Sequence, residues 1–195
     1  MTETMIDFKP VTDRMAALLD GIDDAMTAGP TPCEEFTVGA LLNHALGLTV
    51  AFTGAARKER GPHTDDPPET PSPEAAPEWR ALLPRRLAVL AEAWADPGAW
   101  EGEATAGGVT MPAEVMGLVA LNEVAVHGWD LARATGQDYD LEPEVVAVLT
   151  AFDGQDADDQ AAREGLYGPV VAAAEDAAPL DRLIAITGRD PRWRP

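Results

Sequence analysis

Apolar residues recur at three- and four-residue intervals along most of the chain, and turn residues punctuate them. Met15, Leu18, Leu19, Ile22 and Met26 predict a first helix over about Thr12 to Ala28, closed by Gly29-Pro30 and Pro32. A second helix is expected to start near Thr37, which suits an N-cap, and to run to about Arg60, where Gly61-Pro62 stops it. Residues 61–77, "GPHTDDPPETPSPEAAP", form a Pro-rich acidic connection whose composition excludes helix or central strand. A third helix is predicted over Glu78 to Ala95, with Pro84 as the place for a kink. The turn-rich "DPGAWEGEATAGGV" has room for a short extended piece. In "TMPAE", Thr110 reads as the cap of a fourth helix with Pro112 just inside it, and Gly136 closes that helix after Thr135. A fifth helix is expected over Glu142 to Arg163, and a short last one at "LDRLIAIT".

Four long helices and no repeat make an all-α antiparallel bundle the natural architecture. Residues 1–140 would form it, and residues 141–195 a helical extension packed on it. The fourth helix is apolar nearly all round, which places it inside the bundle.

Charge and composition narrow the function. The formal net charge is -20, which repels nucleic acid phosphates and anionic lipid, so neither is an expected partner. No uninterrupted apolar run reaches about 18 residues, and "MTETMIDFKP" lacks the basic and apolar regions of a secretory signal, so a cytoplasmic protein is expected. Lys9 and Lys58 are the only lysines, while Arg, Ala, Gly and Pro abound; that bias fits a high-GC genome such as that of an actinobacterium. Cys33 is the single cysteine, so no internal disulfide or thiolate cluster can form. Its place between prolines and a helix start suits a small packed residue. His63, in the Pro-rich connection, reads as a solvated loop histidine.

The chemistry sits in "NEVAVHGWDLARATG". Glu123 and His127 are four residues apart and share a stripe with Met116, Ala120, Asp130 and Ala134. An ionised carboxylate in a dry core costs several kcal/mol unless it has a partner, and a divalent metal is one good partner. Helix two supplies a third donor: Leu41, His44, Leu48 and Phe52 follow helical spacing, so His44 lies on the apolar stripe. Two nitrogens and one carboxylate suit zinc, nickel or ferrous iron better than magnesium or calcium. Three protein ligands leave positions for water or substrate, as in catalytic sites. On spacing alone, a hydrogen-bonded Glu123–His127 pair and a satisfied core His44 remain the commoner reading. Asp130 would accept a hydrogen bond from a ligating imidazole and fix its tautomer, or else pair with Arg133 or a neighbouring helix. Trp129 reads as packing; Asn43 and Asn122 stay ambiguous.

Three segments carry a resemblance: "PTPCEEFTVGALLNHALG", "NEVAVHGWDLARATGQ" and "LYGPVVAAAEDAAPLDRLIAITGRDP". Together they resemble the actinobacterial metal-binding proteins of the mycothiol-dependent maleylpyruvate isomerase N-terminal type, in the DinB/YfiT-like superfamily. The resemblance implies a DinB-like four-helix bundle with a divalent metal in its core, held by His44, Glu123 and His127. It implies zinc, with nickel as the alternative, and mycothiol as the thiol co-substrate. The isomerase carries a sizeable further C-terminal domain that helps form its substrate site, whereas here about 55 residues follow Asp140; the expected enzyme is a mycothiol-dependent transferase or an isomerase-like enzyme.

The expected activity is thiol transfer: a metal activates a small thiol for attack on an electrophile such as a conjugated alkene, an epoxide or an alkyl halide. Arg57, Arg60 and Arg133 are candidates for holding an anionic group. Two alternatives stay open, a hydrolase using metal-bound water and a non-catalytic metal-binding or interaction protein. The partners are then a small-molecule thiol and an electrophilic substrate, with a homodimer as the assembly allowed.

Overall fold

A computed structural model gives the fold and describes residues 5–155, 157, 159, 163 and 167–195. Four helices form the bundle: α1 (Lys9–Leu18), α2 (Val38–Ala56), α4 (Trp79–Trp94) and α5 (Ala113–Ala134). The one-turn α3 (Pro62–Asp65) lies between α2 and α4. Both α1 and α2 pack against α4 and α5. Phe8, Trp94 and Trp100 stack and cross at one part of the core, with Phe8 and Trp94 centroids 5.5 Å apart. The architecture is the all-α, DinB-like four-helix bundle expected from the apolar periodicity and the resemblance.

The first helix is shorter than its periodicity suggests. It closes at Leu18 and continues as two 3-10 turns, Leu19–Gly21 and Asp24–Met26, because Ile22 turns extended between them while staying buried. Helix α2 starts as expected: Thr37 is extended and its hydroxyl accepts the Ala40 N–H. It ends at Ala56, four residues early, with Lys58 left-handed at φ 58. Glu59 N–H then donates to the Gly54 carbonyl, which closes the last turn. By length and composition α2 is apolar enough to cross a membrane, yet 72% of that stretch is buried inside the bundle, as for a core helix.

Two expectations are corrected here. The Pro-rich connection does contain helix, the single turn α3, because Pro62 occupies its first turn, where a missing N–H costs nothing. Thr110 is not a helix cap. It lies in β2 (Val109–Pro112), paired antiparallel with β1 (Glu103–Ala106), and its hydroxyl bonds that of Thr105 at 2.8 Å. Gly107 and Gly108, at φ 58 and 79, supply the two left-handed positions that a tight hairpin needs. Helix α5 begins only after this hairpin, at Ala113.

Helix α4 runs through Pro84, and α5 ends as expected at Gly136, φ 68, with Gln137 N–H on the Ala132 carbonyl. Helix α6 (Pro143–Asp153) covers the first half of the expected fifth helix; residues 156, 158 and 160–162 of its second half lie outside the described residues. The last helix, α7 (Pro179–Ile186), packs on α6, and α6 on α5.

Candidate metal centre

Helices α2 and α5 face each other across the core, and their polar interruptions meet. His44 Nε2 lies 3.2 Å from Glu123 Oε2, and His127 Nε2 lies 3.3 Å from the same oxygen. The two imidazole rings cross edge-on with centroids 4.9 Å apart. One donor atom from each of the three residues falls within 4.8 Å of the others. Their side chains are 23%, 31% and 8% exposed for His44, Glu123 and His127, so solvent reaches one edge of the group while His127 forms its floor. The Phe36 ring covers His44 at 5.2 Å.

The donor set fits a divalent ion. Ligands held at about 2.0–2.2 Å from one ion stand roughly 3.0–3.5 Å apart, and the two separations to Glu123 Oε2 have that size. Burial opposes the charge on Glu123, but hydrogen bonds and charges from His127 and His44 outweigh it and hold the carboxyl far below the usual range. Burial likewise opposes charge on His127, yet bonds to Asp130 and Glu123 raise it to about 9. Both its ring nitrogens face carboxylates, an environment built for positive charge.

Asp130 is completely buried and takes the other side of His127: Oδ2 lies 2.9 Å from Nδ1. Its cation is Arg189, not Arg133. Arg189 Nε and Nη2 donate to Oδ1 and Oδ2 at 3.3 and 3.1 Å. Arg133 instead donates to the Pro191 carbonyl and lies over the Trp129 ring, which packs as expected. Arg60 pairs with Asp65. Arg57 lines a groove of ≈ 400 Å³ with Arg85 and Arg86, about 20 Å along α2 from His44 at the helical rise. His63, read as a loop histidine, stands instead in the one-turn α3, exposed as expected, with Nε2 3.3 Å from Oε2 of Glu59 just before it.

Two residues that spacing missed lie here. The Cys33 thiol comes within 4.8 Å of donor atoms of both His127 and Asp130. With no ion bound, burial and then the Asp130 charge push that thiol up to about 11. Arg189 is the other. Neither sits on a helical stripe, so periodicity carries no signal for them; both fall within segments that carry the family resemblance.

The ambiguous asparagines serve to dock loops. Asn43 donates to the Ser72 and Glu74 carbonyls and accepts from Ala76 N–H, pinning the Pro-rich connection to α2. Asn122 donates to Asp153 at 2.6 Å, and Tyr167 donates to either of them at 3.0 and 3.1 Å. That cluster joins the C-terminal region to α5 one residue from Glu123.

Comparison with known proteins follows the same lines. The family model described as "Mycothiol maleylpyruvate isomerase N-terminal domain" matches residues 8–132. Two Mycobacterium tuberculosis proteins, "Uncharacterized protein Rv0738" (strain ATCC 25618 / H37Rv) and "Uncharacterized protein MT0763" (strain CDC 1551 / Oshkosh), are each 29% identical over 192 residues, covering 92% of this chain and 94% of theirs. Crystal structures of the mycothiol-dependent maleylpyruvate isomerase share the fold. A mutant form matches with TM-score 0.58 at 22% identity, and a second structure with 0.51 at 23%. Each match covers 75% of this chain and 66% of the isomerase, just under two thirds of its length.

Proposed function

The chain belongs to the mycothiol maleylpyruvate isomerase N-terminal domain family, and on that premise we propose that it is a divalent-metal-dependent S-transferase for mycothiol. The reading rests above all on one observation: three donor atoms from α2 and α5 converge within 4.8 Å at a partly open edge. The name of the related isomerase, mycothiol-dependent, supplies the thiol. His44, Glu123 and His127 would hold the ion, zinc in preference to nickel. When bound, such an ion supplies Lewis acidity and positive charge that favour a thiolate over a thiol at neutral pH.

The chain's own residues do the rest. Asp130 accepts the Nδ1 proton of His127 and so turns Nε2 toward the donor group. The exposed edges of His44 and Glu123 admit a small thiol, and Phe36 closes one side with an apolar ring. The Cys33 thiol lies beside the site, within 4.8 Å of donor atoms of His127 and Asp130, and on this reading the attacking sulfur is that of the co-substrate. That sulfur, having given up its proton, bonds to a carbon of the electrophile: a carbon–halogen bond breaks and halide leaves, or an epoxide C–O bond or the alkene π bond breaks and the resulting alkoxide or carbanion takes up a proton.

Elemental analysis of the wild type and of His44→Ala, Glu123→Ala and His127→Ala tests the site. We expect near-stoichiometric metal in the wild type and its loss in the variants; unchanged stoichiometry in all three refutes the triad. Assays with model electrophiles, with and without mycothiol, test the reaction. Thiol-independent turnover would mark a hydrolase, and tight metal binding with no turnover a non-catalytic binding protein.

A further inference from the structure

The three donors lie in the bundle, but the charge network behind them is closed by a residue near the end of the chain. Helix α7 terminates in a tight reversal: Gly188 N–H donates to the Ala185 carbonyl and Arg189 N–H to the Ile184 carbonyl. Gly188 is left-handed at φ 86, and a Cβ there would stand 2.8 Å from the Gly168 backbone. Only glycine satisfies both conditions. The reversal sends Arg189 back into the protein, where its side chain is 11% exposed.

There the guanidinium is held at three points. Nε and Nη2 take both oxygens of Asp130, at 3.3 and 3.1 Å, and Nη1 takes the Thr187 carbonyl at 3.1 Å. Each of the three nitrogens thus has an acceptor within the protein. What a two-point fork does is fix the plane of a carboxylate. The oxygen it fixes, Asp130 Oδ2, is the one 2.9 Å from His127 Nδ1.

We propose that Arg189 is a positioning residue for the His44–Glu123–His127 site, acting through Asp130 to hold the His127 ring with Nε2 turned toward Glu123. The C-terminal segment thereby completes a site whose donors lie within residues 8–132. The proposal rests on reading that site as a metal centre, and its test separates the two.

The test measures zinc affinity by competition with a chromophoric chelator, and the ring proton on His127 Nδ1 by ¹H–¹⁵N correlation in zinc-free protein. Arg189→Ala is expected to weaken zinc binding about 10- to 100-fold, the size usual for a group behind a ligand. Arg189→Lys, with one contact instead of two, should fall between it and the wild type. In an Asp130→Asn background, Arg189→Ala should change affinity by less than about twofold, since the group it acts through is gone. The Nδ1 proton, protected in the wild type, should broaden or vanish in Arg189→Ala.

A folded Arg189→Ala protein with wild-type affinity and an unmoved Nδ1 resonance overturns the proposal. So does an equal affinity loss in the Asp130→Asn background, which would mean general destabilisation. If Arg189→Ala does not fold, Arg189→Lys decides: wild-type affinity with an unmoved resonance overturns it. A wild type that binds no zinc refutes the metal reading, while the Nδ1 resonance still settles what Arg189 does.

Discussion

Asp153 gives the sharpest quantitative test of how the C-terminal region is held against the bundle. It sits at the end of α6, 4% exposed, accepting hydrogen bonds from Asn122 at 2.6 Å and Tyr167 at 3.1 Å. Burial, partly offset by those bonds and by the charges of Arg163 and Arg189, lifts its carboxyl from 3.8 to about 6. The sign follows. Below about pH 4 both folded and unfolded chains keep the proton, and between there and about pH 6 only the folded chain does. Stability therefore falls as pH rises through this window and stays reduced above it, by about 3 kcal/mol at 1.36 kcal/mol per pH unit.

Asp153→Asn removes this titration and keeps the geometry. Its amide oxygen can accept from Asn122, its amide nitrogen can donate to Tyr167, and Tyr167 can still donate to Asn122. Urea unfolding of both proteins between pH 4 and pH 8 isolates the effect, because the difference between them cancels every other titrating group. The variant should be more stable by roughly 2–4 kcal/mol at pH 7.5, with the gap closing toward pH 4. A variant equally stable or less stable at pH 7.5, or a gap that does not depend on pH, refutes the reasoning.

Two further outcomes follow. In metal-free protein, His127 is raised from 6.5 to about 9, so its stabilising contribution is complete below about pH 6.5 and is lost as pH rises through about 9; chelator-treated wild type compared with His127→Gln by urea unfolding should show a difference that shrinks across that window. Gly188→Ala should lower stability by about 1–3 kcal/mol in thermal denaturation, since alanine meets both a left-handed backbone and the Gly168 main chain 2.8 Å away; no change in melting temperature would show that α7 ends differently.

The parts of this protein that sequence reading reached are those where local order repeats. Glu123 and His127 share a stripe because helix geometry puts residues four apart on one face, and His44 betrays itself by interrupting an apolar stripe at the right spacing. Thr37 and Gly136 announced helix ends by the same local chemistry. Thr110 misled because "TMPAE" satisfies a cap pattern, while Gly107 and Gly108 just before it demand a hairpin. The pair of glycines is the stronger signal, since two consecutive left-handed residues leave the chain little else to do.

Cys33 and Arg189 are different in kind. They sit in turns, and their neighbours at the site are remote in sequence; Arg189 is 59 residues from Asp130. A buried Asp130 on an apolar helix implies that a cation must exist, because an unpaired buried carboxylate is too costly. It does not say which of fourteen lysines and arginines supplies it, and the nearest in sequence, Arg133, is the wrong one. Arg133 is three residues along the same helix, yet its guanidinium lies over Trp129 and reaches the Pro191 carbonyl. The Asp130 carboxylate turns inward instead, toward His127. A carboxylate that must orient an imidazole in the core can take its cation only from a segment that enters the core, and Gly188 is what lets the chain's end do so.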